Sequence, residues 1–114
     1  MFLFRNRTPA TPKTPEADAH EALRRQVAGA LLVDVREPDE WAAGHADGAC
    51  HIPLGELDAR QHELSRDREI LLICRSGRRS AQAVGLLMQG GHHSATNVAG
   101  GMQAWARAGL PTSR

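Results

Sequence analysis

Two short apolar runs constrain the fold of this chain more than any other feature of its sequence. Residues 30–35 read ALLVDV and residues 69–74 read EILLIC. Successive side chains of a strand point to opposite faces of a sheet, so a continuous apolar run predicts a strand that is covered on both faces. Such strands are typical of a parallel sheet with helices on both sides.

Helical patterns alternate with these strands along the chain. The first predicted helix spans residues 15–27, with a proline in its first turn, Arg24 and Arg25 near its end, and Ala19, Leu23 and Val27 on one face. Further helices are predicted over residues 37–44, 79–91 and 102–109, a helix or a looser connection over 56–64, and short strands within 48–54 and 94–101. The alternation predicts an α/β domain over residues 14–114. Residues 1–13, rich in proline and threonine, are expected to form an extended arm. A short edge strand could form near the end of this arm.

Charge and cysteine content exclude several classes of function. The 14 basic and 13 acidic residues nearly balance, which argues against nucleic acid or an anionic membrane as a partner. Two cysteines without a C-x-x-C pair favour a reducing compartment, and we expect a cytoplasmic protein. The apolar start of the chain is only three residues long, too short for a signal peptide or a membrane span.

The segment CRSGRRS, residues 74–80, is the strongest chemical signal in the sequence. A strand, a tight loop and a helix form an anion cradle, because loop N–H groups and the helix N-terminus point at one place. Gly77 permits backbone angles that other residues resist, and Ser80 lies where a helix cap is expected. The amides, the helix dipole and three arginines should lower the pKa of the Cys74 thiol toward or below neutrality.

Other interpretations of the cysteines and histidines compete with this one. Cys74 could be a buried strand-end residue beside solvated arginines. Cys50 could form a disulfide with an oxidised Cys74, although a buried small residue is the simpler interpretation. The six histidines do not follow the ligand spacing of a zinc site, so no metal is expected.

Three ordered segments resemble the rhodanese-type sulfurtransferase family. They are the loop CRSGRRS, the preceding segment DVREPDEWAAGHADGACHIPL (34–54) and the closing segment GGMQAWARAGLP (100–111). The resemblance implies a three-layer α/β/α sandwich with a five-stranded parallel sheet. It also implies that a cysteine thiolate takes sulfane sulfur from a donor such as thiosulfate and passes it, as a persulfide, to cyanide or a thiol, with no cofactor and with a protein acceptor as one option.

The resemblance assigns roles to individual residues. Cys74 matches the family's nucleophile, and the loop residues match positions whose backbone amides point at the sulfur: Arg75, Ser76, Gly77, Arg78, Arg79 and Ser80. Arg75 and Arg79 match basic positions that can bind the sulfonate of the donor.

Asp34 and Arg36 are expected to support the site from the end of a neighbouring strand. Asp34 could accept hydrogen bonds from the loop, and Arg36 could pair with Glu37 or Glu40 or serve the structure alone. His45 is expected to anchor a turn, since a preformed thiolate needs no general base.

Two rival functions remain open at this point. Phosphatases and arsenate reductases of a related fold place arginine six positions after the cysteine, where this chain has Ser80. Rhodanese-like domains also occur as non-catalytic or redox-sensing binding modules, although the retention of Cys74 in a basic loop argues against that use here.

Overall fold

The computed structural model describes residues 14–114, so the arm predicted over residues 1–13 lies outside the described residues and its boundary stays a prediction. The helices are α1 (Ala19–Val27), α2 (Pro38–Ala42), α3 (Leu54–Arg60), α4 (Arg78–Gln89) and α5 (Gly101–Arg107), and a 3₁₀ turn, Gln61–Glu63, extends α3. The strands are β1 (Glu16–Ala17), β2 (Leu31–Asp34), β3 (His45–Ala46), β4 (Cys50–His51), β5 (Ile70–Ile73), β6 (Ala95–Val98) and β7 (Thr112–Ser113).

Five of the strands form one parallel sheet in the order β1-β6-β5-β2-β4. The two continuous apolar runs become β2 and β5, which are neighbours at the centre of the sheet, with Asp34 opposite Ile73 at their carboxyl ends. The chain segment that follows β5 therefore emerges at the centre of the edge where parallel sheets usually bind ligands.

Helices cover both faces of this sheet, and the predicted three-layer α/β/α sandwich is confirmed. On one face Val33, Leu72 and Cys74 pack with Leu57 of α3 and Val84 of α4. The opposite face is formed by the alternate strand residues, which pack against α1 and α5: Leu32, Leu71, Ile73, Ala22 and Trp105. Consecutive residues of β2 and β5 thus bury their side chains in two separate cores, as continuous apolar strands require.

The structure corrects the predicted first helix. Residues Glu16–Ala17 pair with β6 as the edge strand β1, and α1 begins only at Ala19, where the side chain of Asp18 accepts a hydrogen bond from the N–H of Glu21. Val27 was expected on the same face as Ala19 and Leu23, but it is the last residue of α1 and is 81% exposed. The antiparallel pair of β3 and β7, two residues each, was not predicted from the sequence.

No helix within residues 14–114 is long and apolar enough to cross a membrane.

A buried histidine lies between α4 and β6, before the amino end of that strand and away from Cys74. His92 is 1% exposed, and neither of its ring nitrogens has a hydrogen-bond partner among residues 14–114. Burial lowers the pKa of His92, and the positive charge of Arg66 adds to the effect, so folding disfavours the protonated ring.

We expect His92 to make the fold sensitive to acid. Its pKa is lower in the folded chain than in the unfolded one, so the unfolded chain binds more protons as the pH falls below the ordinary histidine range, and the free energy of unfolding drops. Denaturant titrations over a pH series should show a weaker acid dependence for His92→Leu than for the wild type. The exposed neighbour supplies the control, since His93→Gln should keep the wild-type slope. Parallel pH curves for all three proteins would contradict this account.

Candidate active site

Cys74 follows directly after β5 and is 1% exposed. Its Sγ accepts a hydrogen bond from the backbone N–H of Gly77 at 3.1 Å, and the Ser80 hydroxyl oxygen lies 3.3 Å from it. The sulfur therefore lies at the bottom of the loop, with its contacts on the side where the chain turns into α4.

Gly77 makes this tight turn possible. Its φ is +106°, in the range that favours glycine, and it caps the N-terminus of α4. Ser80 was expected to be the cap, but it lies inside the first turn of α4, because the turn at Gly77 begins the helix earlier. Its buried hydroxyl therefore faces the sulfur and does not cap free helix amides.

The first turn of α5 forms hydrogen bonds with the backbone of the cysteine loop. The N–H groups of Met102 and Gln103 donate to the carbonyl oxygens of Cys74 and Arg75, at 2.8 and 3.0 Å. Gly101 has a φ of +56°, and a β-carbon added there would collide with the Cys74 carbonyl oxygen and lie 2.6 Å from the carbonyl carbon and oxygen of Arg75. The glycine pair before α5 thus lets that helix meet the loop backbone to backbone, a role that sequence reasoning did not assign.

Two opposing effects set the pKa of the Cys74 thiol. Burial raises it, but hydrogen bonds from the Ser80 hydroxyl and from the N–H groups of Ser80, Gly77 and Ser76 outweigh burial and hold the pKa below its ordinary value. The predicted direction agrees with the structure, and the loop amides are among its causes.

The three arginines of the loop have different surroundings. Arg75 and Arg78 are exposed. Arg79 donates from both terminal nitrogens to the carboxylate of Glu40, at 2.7 and 2.9 Å, and thereby joins α4 to α2. The Arg79 guanidinium lowers the pKa of Glu40 to about 2, and the same carboxylate accepts the N–H of Glu37.

Asp34 and Arg36 pair with each other, which differs from the expected contacts. The Arg36 guanidinium donates to the Asp34 carboxylate at 2.8 and 3.0 Å and also to the carbonyl oxygen of Gly44. Asp34 accepts the N–H of Arg36 as well, so its hydrogen bonds go to Arg36 and not to the cysteine loop. Arg36 forms neither of the alternative pairs with Glu37 or Glu40, because the fully buried carboxylate of Asp34 lies within two residues and needs a partner.

His45 and Cys50 lie outside the sulfur's surroundings. The Nδ1 of His45 lies 3.0 Å from the carbonyl oxygen of Trp41, and its ring stacks on that indole at a centroid distance of 3.5 Å, which suits a turn anchor. Cys50 is two strands away from β5, which places it roughly 9 Å or more from Cys74. That separation exceeds the reach of a disulfide, and burial raises the pKa of the Cys50 thiol.

Within residues 14–114, His, Cys, Asp and Glu side chains form no cluster of three that could hold a metal ion.

Comparison with known proteins agrees with this geometry. A profile of the rhodanese-like domain matches residues 17–108. The chain is 46% identical over 81 residues to a sulfurtransferase of Allochromatium vinosum, covering 71% of this chain and 76% of that protein. It is 43% identical over 74 residues to a putative sulfur carrier protein of Bacillus subtilis, where the match covers 65% of this chain and only 40% of the longer relative.

A solved structure supports the same assignment. The fold matches the crystal structure of a rhodanese-related protein from Thermoplasma volcanium with a TM-score of 0.79 and 34% sequence identity, over 87% of this chain and 97% of that one. The chain belongs to the rhodanese-like domain family.

Proposed function

We propose that the protein is a sulfurtransferase in which Cys74 carries the transferred sulfur as a persulfide. The observation that carries this proposal is the environment of Cys74 Sγ, which combines a lowered pKa with a loop of N–H donors. The family membership and the names of the similar sulfurtransferase and sulfur carrier support it.

The reaction has two steps in this proposal. The Cys74 thiolate attacks the sulfane sulfur of thiosulfate or a similar donor, an S–S bond forms, and sulfite leaves with the electron pair of the broken bond. Cyanide or a thiolate then attacks the outer sulfur, and the Cys74 thiolate leaves. The loop amides hold the negative charge of the outer sulfur between these steps, and the dipole of α4 adds to their effect.

The length of the loop favours sulfur transfer over phosphate-ester hydrolysis. A phosphatase of the C-x5-R type needs a guanidinium at the position six residues after the cysteine, and Ser80 cannot form the bidentate contact that arginine makes with an oxyanion. Arg79 is one residue earlier and bonds to Glu40. The loop suits a single sulfur atom better than a tetrahedral oxyanion.

Paired assays test the proposed reaction against its rival. We expect thiocyanate to form from thiosulfate and cyanide, and we expect no meaningful hydrolysis of aryl phosphates by the same preparation. Aryl phosphate turnover that depends on Cys74, without thiocyanate or persulfide formation, would favour the phosphatase interpretation. Absence of both activities would favour a binding module.

We expect both Arg75 and Arg79 to contribute to donor binding, and we expect the contribution of Arg79 to be larger. Arg75→Ala removes an exposed charge, which solvent screens, and should raise the KM for thiosulfate about two- to fivefold. Arg79 is partly buried, and its loss should raise KM about tenfold or more, since charge-assisted bonds are worth about 1.5–3 kcal/mol when desolvated. Arg78→Ala should have a smaller effect than either. Steady-state kinetics with unchanged KM in the Arg75 and Arg79 variants would refute the assignment.

Glu40→Gln separates donor binding by Arg79 from its structural role. The variant keeps the size of the side chain but removes the charge that holds the Arg79 guanidinium. If Arg79 binds the donor, Glu40→Gln should lower the KM for thiosulfate, because the guanidinium is released. A rise in KM equal to that of Arg79→Ala would show instead that the ion pair only fixes α2 against the loop.

The two free cysteines and the thiol chemistry of Cys74 support a reducing location, and we propose that the protein acts in the cytoplasm, with a small thiol or a protein thiol as acceptor.

A further inference from the structure

Asn97 is a buried polar residue in the centre of β6 that sequence reasoning did not single out. It is 1% exposed, and its carboxamide contacts three separate elements. The Nδ2 donates to Glu16 Oε2 of β1 and to the carbonyl oxygen of Gly77 in the cysteine loop, both at 3.1 Å. The Oδ1 lies 2.5 Å from the hydroxyl oxygen of Ser80 in α4.

These partners fix the orientation of the Asn97 side chain. The Gly77 carbonyl oxygen and the Glu16 carboxylate only accept hydrogen bonds, so the amide nitrogen must face them with its two hydrogens. The Oδ1 is then left facing Ser80, and it can only accept. While Cys74 is a thiol, the Ser80 hydroxyl therefore donates its single proton to Asn97.

The same hydroxyl also lies 3.3 Å from Cys74 Sγ, so one proton has two acceptors. When Cys74 is a thiol, its S–H donates to the Ser80 oxygen while the Ser80 hydroxyl donates to Asn97 Oδ1. The thiol, the hydroxyl and the amide oxygen then all have hydrogen-bond partners. A Cys74 thiolate has no proton to donate. It can accept a hydrogen bond from the Ser80 hydroxyl only if the buried Asn97 Oδ1 loses that hydrogen bond. Ionisation of Cys74 therefore carries a cost at Asn97.

We propose that Asn97 is a positioning residue of the Cys74 site: by holding the Ser80 proton it favours the states in which Sγ carries no charge. Those states are the thiol and the persulfide, since the charge of a persulfide lies on the outer sulfur. This inference rests on the proposed function. Loading of sulfur consumes the Cys74 thiolate and release of sulfur regenerates it, so Asn97 favours loading over release.

The test measures the thiolate fraction of Cys74 by ultraviolet absorbance, with every protein carrying Cys50→Ser so that one thiol remains. Asn97→Leu keeps a similar volume but has no acceptor, and it frees the Ser80 hydroxyl for the sulfur. At a pH below the midpoint of titration we expect about three- to tenfold more thiolate in Asn97→Leu than in the parent protein. This factor is the free energy of one net hydrogen bond expressed as a change in the ionisation equilibrium. Combined with Ser80→Ala, the same substitution should produce no increase.

The direction of the change distinguishes this role from a merely structural one. If Asn97 only anchored Gly77, its loss would loosen the loop amides and lower the thiolate fraction, with or without Ser80. A decrease, no change, or an increase that persists in the Ser80→Ala background would overturn the proposal. If Asn97→Leu does not fold, Asn97→Ala is measured in its place, and loss of the fold in both would overturn the proposal by making Asn97 a structural residue.

A separate readout links the inference to sulfur transfer. With thiosulfate present at a pH above the midpoint of titration, where the unloaded Cys74 is mostly thiolate, the fraction of Cys74 found as persulfide by mass spectrometry should be lower in Asn97→Leu than in the parent protein. Absence of persulfide in every protein would count against the sulfurtransferase proposal, whereas the thiolate measurement needs no donor and tests the role of Asn97 by itself.

Discussion

Replacing Cys74 by serine is expected to reduce sulfur transfer by a factor of roughly 10³ or more, to the level of the background reaction. A serine hydroxyl does not ionise near neutral pH and cannot form the persulfide. The fold should persist, because the two side chains are close in size and the serine oxygen can accept the N–H of Gly77 in place of Sγ. Thiocyanate formation and denaturant unfolding of the same preparation measure both outcomes.

Cys50→Ser is the matched control for this prediction. Cys50 is half-buried on β4, two strands from β5, and burial raises the pKa of its thiol. The variant should keep most of the wild-type activity. Equal losses in the two variants would contradict a reaction that uses Cys74 alone, and full activity in Cys74→Ser would remove the proposed nucleophile.

Gly101→Ala is expected to cause the largest loss of stability among substitutions in the glycine positions of the site. The residue has a φ of +56°, and an added β-carbon would lie within 2.6 Å of the Arg75 carbonyl and would also collide with the carbonyl oxygen of Cys74. These are backbone atoms held by the N–H groups of α5, so they cannot move aside without breaking those hydrogen bonds. We expect a loss of roughly 3 kcal/mol or more in the free energy of unfolding.

Gly109→Ala separates the strain of the backbone from the collision. Gly109 has a φ of +70°, but a β-carbon there would lie more than 4 Å from every neighbouring atom that the structure describes. Its substitution should cost only about 1–2 kcal/mol, the ordinary penalty for a left-handed residue. Similar losses at both positions in denaturant titrations would show that the contact between α5 and the cysteine loop is looser than this structure implies.

The layer architecture of the fold could be predicted because β2 and β5 are apolar at successive positions. A strand that is apolar at successive positions has to be buried on both faces of the sheet, so helices have to cover both sides. The start of α1 and the β3–β7 pair could not be predicted in the same way. Two-residue strands such as Glu16–Ala17 have no periodicity, and they form only because a neighbouring edge offers free backbone groups.

The candidate site was predictable where its chemistry is local in sequence. Cys74, Gly77 and Ser80 all lie within residues 74–80, so their residue types and their spacing are enough to indicate the cradle. Glu40 and Asn97 contact the same loop from α2 and β6, and nothing in their own segments marks them as partners of Arg79 and Ser80. The pairing of Asp34 with Arg36 was missed for a different reason, since Glu37 and Glu40 also lie close to Arg36 in the sequence and competed as partners.

The formation of a persulfide on Cys74 is the most direct test of the central claim. The protein is treated with thiosulfate, freed of excess reagent, and examined by mass spectrometry without reduction, intact and after digestion. We predict a gain of one sulfur atom on the peptide that contains Cys74, absent from Cys74→Ser and removed by cyanide with release of thiocyanate. No gain in mass, or a gain located on Cys50, would contradict the account.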